Sequence, residues 1–285
     1  MQFSLVAGQR TTPSPKLPGI CPACGEATIS KCGSQVVWHW AHRGRKHCDQ
    51  WWENETPWHR QWKELFPEAW REHVYVDRHG ERHVADVRTE SGIVLEFQNS
   101  PIPPDELRSR EDFYGRMTWI VNGARFANQF FILGRLPSPD AEFVNDIEFF
   151  EQKVAAQGRL FWWRSENTRA DGGLVQVHSM ADIQHLVDAE YVGHHLYDWL
   201  RPRTVWLSSG KSVLIDFGGD VLWELQSFGE RNLRCVRALR KASLVSKHGG
   251  TYLETGSVER GASRPRPPMS PIYRGEDELL LEAVH

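Results

Sequence analysis

Residues 82–98, RHVADVRTESGIVLEFQ, set two acids on facing positions of a single hairpin. Apolar residues recur on both sides of Glu90-Ser91-Gly92, which reads as two strands joined by a turn. If the chain reverses around Ser91, Asp86 lies opposite Glu96, with their Cβ atoms about 5 Å apart on one face. Gln98 is two residues beyond Glu96 and shares that face. Val84, Val87, Ile93, Val94, Leu95 and Phe97 flank them, so the pair is headed for an apolar setting. Facing buried carboxylates repel unless something positive sits between them. A divalent cation meets that need, and oxygen donors with open positions suit Mg2+ or Mn2+. The plainer alternative is an exposed strand face paired with arginines.

The neighbouring segments give the hairpin a context. A helix is predicted to open after Asn54 and run to about Leu65, with Pro57 in its first turn and Pro67 past its end. Residues 73–78 read as a further strand, 104–115 as a helix behind Pro103-Pro104, and 117–122 as a buried strand ending at Gly123. Helix, three strands, helix, strand is the order used by PD-(D/E)XK nuclease cores. Further on, helices are expected near 144–156 and 180–188, and short strands near 159–163, 203–207, 213–217 and 221–225. Residues 256–275, rich in Pro, Ser, Arg and Gly, read as a disordered tail.

A second cluster lies upstream. CPACG places Cys21 and Cys24 two residues apart, a spacing that lets two thiolates grip one ion from a tight turn. HWAH repeats that spacing with His39 and His42. EATISKC and SQVVWHW look like strands joined at Gly33, and a hairpin would return the histidines to the cysteines. Cys21, Cys24, His39 and His42 make a closed structural Zn2+ site, with Cys32, His47 and Cys48 as alternative ligands. A module this small needs a metal or a neighbour to stay folded. Four of the five cysteines lie between positions 21 and 48, a clustering that fits metal binding in a reducing compartment. The start of the chain does not read as a secretory signal, and no stretch approaches 18 apolar residues, so the cytoplasm is the expected compartment.

The formal net charge of −3 means that any nucleic-acid surface must be local. Arg108, Arg110 and Arg116 flank the second helix, and Arg231, Arg234, Arg237 and Arg240 recur every third residue in an expected helix. The 13 tryptophans are read as packing residues, and His83 as structural.

CPACG, WHWAHR, WWENETPWHRQWKELFP, RHVADVRT, LEFQNSPI, SREDFY and MTWIVNG follow one another between about residues 21 and 125. In these motifs the chain resembles the competence protein CoiA-like family. The resemblance implies an α/β fold with a PD-(D/E)XK-type, restriction-endonuclease-like core, a mixed sheet flanked by helices. A small N-terminal zinc-ribbon-like module precedes the core and a C-terminal α+β region follows it. The corresponding segments are 1–50, 51–150 and 151–255, with the tail over 256–285. It implies a metal-dependent DNA nuclease, with DNA and recombination or DNA-processing proteins as partners. The helix acid falls on Glu55 and the helix histidine on His59, four residues apart and so on one helical face. The strand residues fall on Asp86, Glu96 and Gln98. Gln98 stands where lysine is usual, and a neutral amide supplies no positive charge. An accessory DNA-binding protein that keeps the fold without cleavage is the alternative, and a zinc-stabilised interaction module a third reading.

Overall fold

The computed structural model describes residues 1–44, 48–149, 160–167, 176–229 and 233–255. His47, Arg231, residues 150–156 of the expected downstream helix and the tail over 256–285 lie outside the described residues. The chain divides into two compact units. One holds Met1–Gly123, Arg203–Leu222 and the described residues from Arg240 onward; the other holds Ala124–Pro202 and Trp223–Leu239.

The first unit begins with an antiparallel sheet of five short strands. These are β1 (Ser4–Val6), β2 (Gln9–Thr11), β3 (Pro18–Ile20), β4 (Ala27–Lys31) and β5 (His39–His42), in the order β2-β1-β3-β4-β5. Gly19 in β3 admits no side chain: a Cβ there would meet Ser4 Oγ at 2.6 Å and Thr28 Oγ1 at 2.9 Å. Those two hydroxyls hydrogen-bond to each other at 2.6 Å, so the approach of β3 fixes a buried polar contact between β1 and β4.

Helix α1 (Pro57–Glu64) follows, capped by Thr56, whose Oγ1 accepts from the His59 amide at 3.2 Å. Then come β6 (Arg71–Val76), β7 (Arg82–Arg88), β8 (Val94–Gln98), α2 (Pro104–Tyr114) and β9 (Met117–Asn122). Strands β6, β7 and β8 pair antiparallel, while β8, β9 and the strand Ser212–Asp216 pair parallel. The sheet is therefore mixed, as the sequence led us to expect. All five residues of β8 are buried, which is why that segment lacks clean alternation. Helix α1 packs Trp62 against Phe97 with ring centroids 5.3 Å apart. The indole N–H groups of Trp58 and Trp62 donate to Asp216 at 3.0 and 2.8 Å, and Lys241 Nζ joins them at 3.2 Å. This buried polar knot fixes the helix over the sheet.

The second unit pairs Phe130–Arg135, His194–Trp199, Leu233–Arg240 and Val221–Phe228 in that order, with a smaller sheet of Ile147–Phe149, Leu160–Trp163 and His178–Ser179. Three expectations are corrected here. Residues 204–207 form a helical turn rather than a strand, because a four-residue apolar run carries no readable period. The helix expected from 144 is a 3-10 turn (Glu142–Asp146) followed by a strand. Arg234, Arg237 and Arg240 lie on a strand, where a three-residue spacing alternates faces and makes no basic stripe. No helix among the described residues is long and apolar enough to cross a membrane.

Candidate active site

The register of β7 and β8, Val87↔Leu95 and Arg88↔Val94, carries Asp86 to the position opposite Glu96. At that point the backbone ladder opens and the carboxylates enter it. The Asp86 amide donates to Glu96 Oε1 at 3.2 Å, and the Phe97 amide donates to Asp86 Oδ2 at 2.9 Å. Glu96 Oε2 accepts from Arg110 Nη1 at 3.2 Å. Arg110 itself is braced by the Trp51 carbonyl at 2.8 Å and by Glu106. Arg110 was read as a surface residue for DNA; it is buried, and Arg108 and Arg116 are the exposed members of that group. Burial, with the charge of Asp86 added, pushes Glu96 up to about 8, and Arg110 offsets only part of this.

The helix supplies cations where the sequence reading expected an acid. His59 and Lys63 are one turn apart on the buried face of α1. Lys63 Nζ lies 3.1 Å from Asp86 Oδ1 and 3.2 Å from both Glu55 Oε2 and Glu72 Oε1. Burial opposes its charge, yet Asp86, Glu55 and Glu72 together hold the amine well above its ordinary pKa. His59 Nε2 pairs with Glu53 at 2.9 Å, and its Nδ1 meets Thr56 Oγ1 at 2.9 Å. Burial opposes protonation of His59 too, but Glu53 and Asp86 outweigh it and raise its pKa. Glu55 is not the partner of His59. It precedes the helix, which begins after Thr56, and from there it meets Lys63 and Arg60.

Gln98 donates through Nε2 to Glu53 Oε1 and to the Ser100 carbonyl, both at 3.1 Å. Its amide nitrogen is therefore committed, and what it has left to offer is a carbonyl oxygen, an acceptor. Glu53, Glu55, His59, Lys63, Asp86, Glu96 and Gln98 line one cavity of about 150 Å3. That is room enough for a phosphate group. Six carboxylates line it (Asp49, Glu53, Glu55, Glu72, Asp86 and Glu96) against the two permanent cations Lys63 and Arg110. Within this negative excess, Asp86 and Glu96 are the oxygen donors that could hold a divalent cation. Lys63, Glu53 and Glu72 were missed in the sequence, and Arg110 was read as outward-facing, because charged side chains are solvated by default.

The thiol cluster assembles around a different fourth ligand. Cys21, Cys24, His42 and Cys48 bring one donor atom each to within 4.8 Å of one another. Cys21 Sγ and Cys48 Sγ are 3.8 Å apart, and Cys24 Sγ and His42 Nε2 are 3.3 Å apart. A tetrahedral ion with bonds of about 2.3 Å to sulfur needs edges of about 3.8 Å, so the set fits Zn2+. The hydrogen bond with Cys48 draws the Cys21 thiol down to about 5 against the effect of burial, which favours a thiolate. His39 stands outside this set. It is three residues from His42 on β5, so the two point to opposite faces, and His39 Nδ1 meets the Val37 carbonyl at 2.8 Å. Cys32 is also outside it.

An α/β core with a buried carboxylate pocket, joined to a small antiparallel module with a Cys3His centre, is the class that the fold and sites define. Residues 18–50 match the family model of the competence protein CoiA N-terminal domain. The CoiA-like resemblance read from the motifs is borne out over that segment, which spans the whole Cys3His set. No curated protein and no solved structure matches the chain.

Proposed function

We propose that the chain is a metal-dependent deoxyribonuclease built on a PD-(D/E)XK-type core, hydrolysing phosphodiester bonds in the Asp86 pocket. The observation that carries this is the facing pair Asp86 and Glu96 with Lys63 Nζ 3.1 Å from Asp86. Mg2+ or Mn2+ held by Asp86 and Glu96 would bind a phosphate oxygen and make a bound water acidic enough to attack. Lys63, reaching in from α1, supplies the positive charge that Gln98 lacks, close to where the pentavalent phosphate builds negative charge. The Gln98 carbonyl accepts a hydrogen bond from the attacking water and so orients it. His59, raised by Glu53 and with both ring nitrogens bonded, to Glu53 and Thr56, adds positive charge beside Asp86 rather than a free proton donor. Glu55 and Glu72 keep Lys63 protonated and in place.

One observation favours a second reading. Lys63 and Arg110 each occupy one oxygen of the acid pair, so the acids are partly neutralised already. A DNA-binding accessory protein that never cleaves would need no more than this. Plasmid and oligonucleotide cleavage, with and without Mn2+ or Mg2+, separates the two. Divalent-dependent strand breaks that vanish in chelator support the nuclease. Tight DNA binding with no breaks under any metal supports the accessory protein.

A further inference from the structure

The segment from Cys48 to Thr56 links the two metal-type sites, and its burial alternates. Asp49, Trp51, Glu53 and Glu55 are turned inward, while Gln50, Trp52 and Asn54 are exposed. Each inward residue grips a different part of the carboxylate pocket. Asp49 accepts from the Val84 amide at 2.8 Å, two residues before Asp86, and from His83 at 2.8 Å. The Trp51 carbonyl holds Arg110, which holds Glu96. Glu53 accepts from Gln98, from the Ser100 amide at 2.7 Å and from the Asn99 amide at 3.3 Å, and pairs with His59. Glu55 holds Lys63 at 3.2 Å.

We infer that residues 48–56 form a positioning strap that places the pocket's working groups, and that metal occupancy of the Cys21, Cys24, His42 and Cys48 site regulates the pocket by anchoring the strap's first residue. One end of the strap is fixed by the N-cap of α1 through Thr56. The other end is Cys48, and Asp49 is the very next residue. Among the strap's inward residues none is itself a ligand in the thiol cluster, so the coupling runs through the backbone. Binding at the two sites is then linked, and linkage is reciprocal: whatever factor zinc adds to divalent affinity at the pocket, the pocket cation adds to zinc affinity. This rests on the reading that the pocket binds a divalent cation, but the strap also has a reporter independent of it. The Val84, Asn99 and Ser100 amides are bonded to strap carboxylates and exchange with solvent only when the strap lets go.

The test uses the full chain, loaded with zinc or stripped of it, and measures amide hydrogen exchange together with Mn2+ binding by electron paramagnetic resonance. Zinc removal is expected to deprotect Val84, Asn99 and Ser100 and to weaken Mn2+ binding by about tenfold or more, while the strand Leu233–Arg240 in the other unit keeps its protection. Cys48→Ser should reproduce this, Cys48→His should restore it, and Cys32→Ser should leave it untouched. Asp49→Ala should retain zinc yet weaken Mn2+ binding. Unchanged amide protection on zinc release, or equal loss of protection throughout the chain, overturns the inference, and so does purified protein that binds no zinc. If zinc-loaded wild type binds no Mn2+ but the three amides still respond to zinc, the nuclease reading fails and the strap stands.

Discussion

Lys63→Met removes the charge around which the pocket is arranged and keeps most of the side-chain volume. The Lys63 side chain is 5% exposed and lies within 3.2 Å of three carboxylates. Taking away one partner of a buried pair leaves an uncompensated charge, at a cost of about 3–5 kcal/mol. Here three acids lose their shared cation, so the upper end applies to metal-free protein at neutral pH. The pH dependence follows from Glu55 and Glu72, which burial pushes up but Lys63 holds below the ordinary glutamate value. Depressed carboxylates stabilise the fold above their unfolded pKa and lose that contribution as pH falls through the folded value. Without Lys63 they titrate higher, so the gap between variant and wild type narrows on acidification. Mn2+ should narrow it as well, by about 1.4 kcal/mol for each tenfold by which the variant binds the ion more tightly than wild type. Urea unfolding of both proteins at neutral and acidic pH, in chelator and in Mn2+, measures all three effects. A loss below about 1 kcal/mol, the range of exposed pairs, or a gap indifferent to both pH and Mn2+, would refute the reasoning.

Other outcomes follow from the same geometry. Elemental analysis should give one zinc per chain, lost in Cys21→Ser and retained in His39→Ala; zinc lost with His39 would mean the sequence-based ligand set was right. Glu96, pushed up to about 8, favours the fold in its protonated form, so metal-free protein should lose stability as pH rises from about 4.5 toward 8, with a slope of up to about 1.4 kcal/mol per unit. Glu96→Gln should flatten that slope, and a variant that keeps it assigns the slope elsewhere. Gln98→Lys should lower cleavage at least about tenfold, because it sends a charge toward Glu53 and deletes the carbonyl acceptor; a fully active variant would show that glutamine merely stands in for lysine.

Much of the pocket was legible because β-strand parity is strict. Asp86, Glu96 and Gln98 fall where a turn at Ser91 puts them, since each two-residue step returns to one face. The same parity argues against pairing His39 with His42, and the repeat of a two-residue spacing concealed it. Cys48 was harder to choose because it reaches the cluster from beyond β5, a distance in sequence that no local spacing encodes. Lys63 illustrates the other limit. Read along α1 it is one more solvated lysine, and only the placement of β6 and β7 beneath the helix surrounds it with Glu72 and Asp86. A count of acids lacking partners near the hairpin was the one signal that pointed to such a cation. The strand Leu233–Arg240 was misread for a related reason: a three-residue arginine spacing imitates a helical stripe, and the residues between, Cys235 and Val236, are fully buried.

The most direct measurement of the central claim is single-turnover cleavage of labelled DNA by zinc-loaded protein in Mn2+, wild type against Asp86→Ala, with DNA binding followed on both. On the proposed reading Asp86 would hold the metal as well as Lys63, and most phosphates would be held elsewhere, so the variant should stay folded, bind DNA as well as or better than wild type, and cleave none. Equal cleavage by the two proteins, or tight binding by wild type without cleavage in either metal, would contradict the assignment of hydrolysis to this pocket.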